Sequence, residues 1–326
     1  MIIVRCPLRI SLGGGATDLS SYYSKREGFV IAGAINKYIY IAIHKTFEKS
    51  IIAKYSSLER VSEIQELKHP IIKSVLEIHG KDLDKLEITS FADIPGGTGL
   101  GSSSAFTNAL IKGINNLSLD QIANEDLARY SCNIEIDILK EPIGKQDQYI
   151  TALGGIREFT FKKNGEVDHS LVYKNEDDYL ELSSRLVLVF TGVTRKASNI
   201  LNDQKMKSEI EDEEMLNNLD ETKRLGKKAS KMIKNKDFNK FGELLDAHWQ
   251  NKKNRSDGMS SKEIEEIYKL GMSNGANGGK VIGAGGGGFI LFQTENKAAL
   301  TEYLRDKNFR VVDFNFVSNG CEIINF

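Results

Sequence analysis

The chain has 326 residues, 40% of them hydrophobic and 27% charged, and 44 basic against 45 acidic side chains leave a net charge of −1. That is a globular composition, long enough for two lobes. It excludes bulk attraction to nucleic acid or to an anionic membrane surface, and no apolar run approaches the about 18 residues of a membrane span.

Met1 to Leu12 reads as a strand, and Gly28 to Phe47 as another, with Ile39, Ile41 and Ile43 on one side. Between them lies Pro7-Leu-Arg-Ile-Ser-Leu-Gly-Gly-Gly-Ala-Thr-Asp18, which sets Arg9 on the strand and Asp18 just past a glycine turn (Gly13, Gly14, Gly15). Alone, this is also what a strand with a charged edge looks like. Helical patterns follow at about 69–79, 102–117 and 124–139. A strand-like segment, Leu86 to Ile94, precedes the second of them.

The run from Pro95 to Ala105 joins that strand to that helix. It reads Pro-Gly-Gly-Thr-Gly-Leu-Gly-Ser-Ser-Ser-Ala, and the helix behind it carries Phe106, Ala109, Leu110, Ile114 and Leu117 on one face. Gly96, Gly97, Gly99 and Gly101 let the backbone approach a bulky ligand and turn N–H groups inward. The helix start adds unpaired N–H groups and a positive dipole end, and Ser102, Ser103 and Ser104 add hydroxyls. The combination describes a phosphate cradle. The bland alternative is a glycine turn with serine caps. No Gly-Lys-Ser/Thr ending is present, and the dinucleotide-binding Gly-x-Gly-x-x-Gly is not met in its proper context.

Asn124 to Leu139 reads as one helix. Ala128, Cys132, Glu135 and Leu139 share a face at spacings of four, three and four, so Glu135 is an acid on a small or apolar stripe. Such a carboxylate needs a partner, a cation being the obvious one; otherwise it is an exposed charge. Asp147 follows in Pro142-Ile-Gly-Lys-Gln-Asp-Gln-Tyr149, as a reactive acid or as a loop cap.

Strand patterns return at 155–162 and 185–191, with the likeliest boundary in the polar segment Lys174 to Ser184. From about 205 to 274 the pattern is helical, and the mixed charges of Lys205–Glu214 and Lys223–Lys240 describe solvated faces. Strands are expected at 279–292 and 309–325, around a helix near 296–306. Gly275 to Phe289 holds eight glycines, four of them consecutive at Gly285 to Gly288. Either the backbone passes close to something there, or it is a flexible hairpin. The mixed, non-alternating order of elements predicts an α+β fold. Three scattered cysteines give no metal or disulfide spacing and fit a reducing compartment. The five histidines give no ligand pattern. No signal-peptide pattern is visible, so a cytoplasmic location is expected.

Taken together, the motifs at Pro7–Asp18, Pro95–Ala105 and Gly278–Phe289 resemble, in order and spacing, the three motifs of the GHMP kinases, and the resemblance spans the whole chain. It implies two lobes, 1–178 and 179–326, the first ribosomal-protein-S5-like and binding ATP, the second ferredoxin-like, with the site between them. It implies ATP-dependent phosphorylation of a small-molecule alcohol with Mg²⁺. Pro95, Gly97, Thr98, Gly99, Leu100, Gly101 and Ser102 to Ser104 match the ATP loop. Ser103 and Glu135 match the family's magnesium ligands. Asp147 matches the catalytic aspartate and Arg9 the arginine beside it. Asp18, with Gly14, Gly15 and Thr17, matches the sugar loop, and Gly285, Gly286 and Gly287 match the loop that closes on substrate.

Within the family, Gly144-Lys-Gln-Asp-Gln-Tyr149, Thr191-Gly-Val-Thr-Arg195 and Gly283–Phe289 most resemble the bacterial D-glycero-D-manno-heptose 7-phosphate kinases, whose products feed nucleotide-activated heptose and surface polysaccharide. Fucokinases share several of these pieces. Ala16 stands where many relatives carry glycine or tryptophan nearby. Lys145, Arg195 and Lys196 are the candidate anchors for a substrate phosphate. The rival readings are an L-fucose or other sugar 1-kinase and a non-catalytic nucleotide-binding module. Nothing in the sequence specifies an oligomeric state.

Overall fold

The computed structural model describes residues 1–80, 83–193, 198–210, 212–256 and 258–324. The chain opens with β1 (Ile2–Gly13), α1 (Ser20–Arg26) and the 17-residue β2 (Gly28–His44), then β3 (Ile51–Lys54), β4 (Leu58–Val61), α2 (Pro70–His79) and β5 (Leu86–Ala92). Next come α3 (Ser102–Leu117), α4 (Asn124–Cys132) running into a π-helical stretch over Asn133–Ile138, and α5 (Gln146–Leu153). After β6 (Ile156–Phe161), β7 (Val167–Leu171), α6 (Glu176–Ser183) and β8 (Leu186–Phe190) stand four helices: α7 (Ser198–Glu209), α8 (Glu213–Lys234), α9 (Phe241–Lys253) and α10 (Lys262–Ser273). The chain closes with β9 (Ala276–Val281), β10 (Phe289–Thr294), α11 (Lys297–Asp306), β11 (Val311–Val312) and β12 (Glu322–Ile324).

Two sheets organise these elements. The larger runs β12–β1–β2–β5–β3–β4, with β6 on β2 and β7 on β6; the smaller runs β11–β8–β10–β9. All ladders are antiparallel except β3 with β5. The long β2 serves two neighbours, β6 along Gly28–Gly33 and β5 along Ile39–His44. The β1–β2 register slips between Pro7 and Leu8 and again between Ser11 and Gly13. Proline brings no N–H to a ladder, and such slips bend a strand and redirect its side chains. They bracket Arg9.

One apolar core fills the space behind the large sheet, from Leu8 and Ile10 on β1 through Ala109 and Leu110 on α3 to Leu225 and Ala229 on α8. A second lies behind the small sheet, around Trp249, Ile264, Phe292 and Leu300. Each large aliphatic or phenyl side chain among them contributes about 1.5–3 kcal/mol by leaving water. Helix α8 packs on β1 and β2, and β12 pairs with β1, secured by the Arg5–Glu322 ion pair at 2.5 Å. Elements from beyond residue 178 therefore complete the large sheet.

The structure refines four local readings. The apolar run 279–292 is two strands, because left-handed glycines (Gly283, Gly285, Gly286, Gly288) turn the chain between them. Among the described residues of the expected strand 309–325, only β11 and β12 are strand; the intervening stretch instead buries Phe314 and Phe316. The polar segment 174–184 contains a helix, α6, which buries Tyr179 and Leu182. Asp147 lies in the first turn of α5, not in a loop. Among the described residues no helix is long and apolar enough to cross a membrane.

Candidate active site

The loop after β5 is built on left-handed backbone at Gly97, Gly99 and Gly101, with φ of 74°, 80° and 77°. Side chains other than glycine rarely adopt this region. Gly101 is the N-cap of α3, and no side chain caps that helix end. Its first N–H groups and its positive dipole end are left to a ligand. A side chain at Gly99 would also sit 3.0 Å from the Ile282 carbonyl, and one at Gly283 would sit 2.6 Å from the Gly99 Cα. The two glycine loops touch here, which accounts for both clusters.

Arg9 and Asp147 stand at the centre. Arg9 Nε donates to Asp147 Oδ1 at 2.7 Å and Nη2 to Oδ2 at 2.6 Å, a bidentate pair. Arg9 Nη1 donates to the Gly99 carbonyl at 2.5 Å. One arginine thus fixes the acid against the phosphate loop. Ser103 and Ser104 each donate to Glu135 at 2.7 Å, Thr107 donates at 3.1 Å and Gln148 Nε2 at 2.6 Å. The π-helical stretch carries Glu135, which is wholly buried. Burial pushes its carboxyl up from the usual range, and the four donors oppose that.

Asp18 anchors the loop after β1. Its Oδ1 accepts from Ala16 N and its Oδ2 from Gln146 N, both at 3.0 Å. It is 4% exposed, and burial raises its pKa. The Gln146 contact places Asp18 one residue from Asp147. Together these pieces line a cavity of about 530 Å³.

Of the predicted residues, Arg9, Gly15, Asp18, Gly97, Thr98, Gly99, Gly101, Ser102 to Ser104, Asp147, Gly285 and Gly287 line that cavity. Others sit behind it. Glu135 lies beneath Ser103. Thr17 Oγ1 bonds the Gly14 and Phe29 carbonyls, holding the loop's shape. Leu100 accepts from Arg9 N, Pro95 from Thr98, and Gly286 N donates to Met259. Gly14 N donates to His248 Nε2 at 3.1 Å. Lys145 is a correction: its ammonium donates to the Gly165 carbonyl at 2.6 Å and lies over the Tyr23 ring, so it does not face the cavity. Arg195 and Lys196 lie outside the described residues.

The sequence reading missed the cavity's basic floor: His248 and Lys252 on α9, Arg255 just beyond it, and Lys280 on β9. His248 and Lys252 are spaced i, i+4 on one face of α9, and Arg255 continues that spacing just past the helix end. That spacing was the available signal. His248 is held neutral, its pKa pushed well down by burial and by the charges of Lys280, Arg255 and Lys252; its Nε2 can therefore accept from Gly14.

The fold and site define a phosphotransferase with a nucleotide loop at a helix start and a carboxylate poised beside it. Comparison with known proteins then gives the family. Residues 67–155 match the family described as GHMP kinases N terminal domain, and residues 210–307 match GHMP kinases C terminal. The D-glycero-alpha-D-manno-heptose 7-phosphate kinase of Campylobacter jejuni is 31% identical over 98% of each chain. The L-fucokinase/L-fucose-1-P guanylyltransferase of Bacteroides fragilis is 25% identical over 98% of this chain but 38% of that one. A crystal structure of a D-glycero-D-manno-heptose 1-phosphate kinase from Bacteroides thetaiotaomicron superposes with a TM-score of 0.81, at 24% identity over 100% of this chain and 99% of that one. The chain belongs to the GHMP kinase family: it has the two-lobed fold of that family and is an ATP-dependent sugar kinase.

Proposed function

We propose that the chain transfers the γ-phosphate of ATP to the anomeric hydroxyl of D-glycero-D-manno-heptose 7-phosphate, giving the 1,7-bisphosphate, in the cytoplasm. The observation that carries the chemistry is the bidentate Arg9–Asp147 pair, fixed between the phosphate loop and Asp18. The substrate reading is supported by the 31%-identical Campylobacter relative, together with the basic floor.

Phosphoryl transfer needs positioning and charge neutralisation more than covalent help. The uncapped N–H groups at the start of α3, with the Ser102 hydroxyl beside them, bind the ATP phosphates, while Ser103 and Ser104 donate their hydroxyl hydrogens to Glu135. Asp18 accepts hydrogen bonds from sugar hydroxyls and orients the acceptor. Asp147, 24% exposed at its side chain, keeps free lone pairs toward the cavity and takes the acceptor's proton. Arg9 offsets the charge that builds between acceptor and phosphate.

Ser103 and Glu135 fit a magnesium ion by donor chemistry, because two hard oxygens stand 2.7 Å apart at the head of α3. Ser103 is exposed to the cavity and Glu135 is buried directly behind it, so an ion there would meet the Ser103 oxygen first and would take the place of the hydrogen bond between the two. A bound Mg²⁺ would neutralise phosphate charge there.

The test is ADP release with MgATP across a panel of heptose 7-phosphate, bare heptose, L-fucose, galactose and mevalonate. Heptose 7-phosphate is expected to give the highest kcat/KM. Equal or faster turnover of L-fucose would replace the substrate assignment with the fucokinase-type reading. No turnover of any acceptor, with intact ATP binding, would leave a nucleotide-binding module.

A further inference from the structure

The floor of the cavity carries more positive charge than the fold balances. Lys252, Arg255 and Lys280 are 8%, 6% and 5% exposed. Arg9 is already paired with Asp147, which leaves Asp18, whose charge acts on Arg255, as the buried carboxylate lining the cavity beside them; Glu141 stands exposed at the rim. Neutral partners orient two of them. Lys252 Nζ donates to the Val281 carbonyl at 3.1 Å and to that of Gly283 at 2.5 Å. Arg255 donates from Nε to Asn218 at 2.8 Å and from Nη2 to Thr222 at 2.6 Å. The Lys280 ammonium makes no hydrogen bond or ion pair among the described residues, though it lines the cavity and is almost completely buried. Buried cations are normally paired.

The charges that act on this group mark its place. Lys280 feels Arg9 and Arg255, Arg255 feels Asp18, and His248, which feels all three floor cations, holds Gly14 of the sugar loop. The floor therefore borders the sugar loop at Gly14 and Asp18, and through Lys252 it also reaches the Gly283 turn that touches Gly99. Protonated together beside one carboxylate, the three suit a ligand of charge about −2, and a phosphate monoester, which carries about −1.5 to −2 near neutral pH, would favour the charged form of the depressed Lys280. Arginine offers such a group a planar fork and lysine a compact point charge.

We propose that Lys280 and Arg255, with Lys252 beside them, bind the phosphate that the acceptor already carries and so set the preference for a phosphorylated sugar. The proposal rests on the sugar-phosphate reading above. It moves the anchor from Lys145, whose amine is turned to Gly165.

Lys280→Met and Arg255→Gln test it through the ratio of kcat/KM for heptose 7-phosphate to that for bare heptose, with ADP affinity measured in parallel by calorimetry. Loss of one charge-assisted contact predicts that the ratio falls at least ~10-fold in either variant, mainly through KM for the phosphorylated sugar. ADP affinity is expected to stay as in the unmodified protein, and Lys280→Arg to recover part of the ratio. Met at 280 removes an unbalanced buried cation, so the variant should fold; a thermal melt checks this. An unchanged ratio combined with weaker ADP binding would assign the floor to the nucleotide's phosphates and overturn the proposal. Equal turnover of bare and phosphorylated sugars by the unmodified protein would overturn it too. If heptose 7-phosphate fails but another sugar phosphate from a panel is turned over with the same dependence on Lys280, the floor stands and only the heptose assignment falls.

Discussion

Glu135 and Lys280 are both buried ionisable groups in the same cleft, and their surroundings are opposite. Glu135 receives four hydrogen bonds from three hydroxyls and an amide. Lys280 receives no partner among the described residues, and burial together with the charges of Arg9 and Arg255 pushes its pKa down to about 7. The acid is stabilised by the fold itself. The lysine is left to be stabilised by a ligand. The contrast separates a preorganised end of the cleft, which we propose for nucleotide and metal, from an unbalanced end, which we propose for the acceptor.

Cutting the link between the two ends should have the largest effect. Asp147→Asn removes the carboxylate that Arg9 clamps between them. It is expected to lower kcat at least ~10²-fold while ADP affinity by calorimetry is retained. Near-normal turnover would remove Asp147 from the chemistry.

At the acid end, Glu135→Gln keeps the size but loses the anionic oxygen. The KM for MgATP should rise about 10-fold and the Mg²⁺ requirement should shift upward. Metal titrations that superimpose on the unmodified protein would make Glu135 a purely structural acid.

The comparison also predicts stability. Glu135→Leu strands the buried donors of Ser104 and Gln148 and should cost about 2–3 kcal/mol or more in urea unfolding. Lys280→Met should be neutral or stabilising, because a buried unbalanced charge disappears. Equal losses in both variants would erase the distinction between the two ends.

The smallest effect is in pH dependence, and the two groups have opposite signs. A lysine depressed in the folded state is protonated more in the unfolded chain between about pH 7 and its ordinary 10.5, so its contribution to stability rises with pH there. For Glu135, raised in the folded state, the native protein holds the proton longer and the contribution falls as pH rises above the ordinary carboxylate range. Unfolding free energies measured from pH 7 to 9 should lose up to ~1.4 kcal/mol per pH unit of upward slope in Lys280→Met. An unchanged slope would show that Lys280 does not titrate in this window.

The acid end was legible in the sequence because its signals are local. Gly97 to Ser104 is continuous, α3 covers 102–117 as its periodicity predicts, and Glu135 announces itself as an acid on an apolar stripe. The π-helical stretch that carries Glu135 was not legible, since a widened turn leaves little trace in an 11-residue periodicity. The basic end was missed for a different reason. His248, Lys252 and Arg255 follow one another along and just past α9, but Lys280 comes from β9 and Asp18 from the loop after β1, and only tertiary packing brings these two to the others. Read singly, each basic side chain looks like a solvated charge. Lys145 shows the converse: it stands two residues from Asp147, but the start of α5 directs its amine toward Gly165.

The most direct test of the central claim is the position of the transferred phosphate. After incubation of the protein with MgATP and heptose 7-phosphate, ³¹P NMR should show a second sugar phosphate coupled to the anomeric proton, with the 7-phosphate signal retained. A new phosphate on any other hydroxyl, or product formed from bare heptose as fast as from the 7-phosphate, would contradict it.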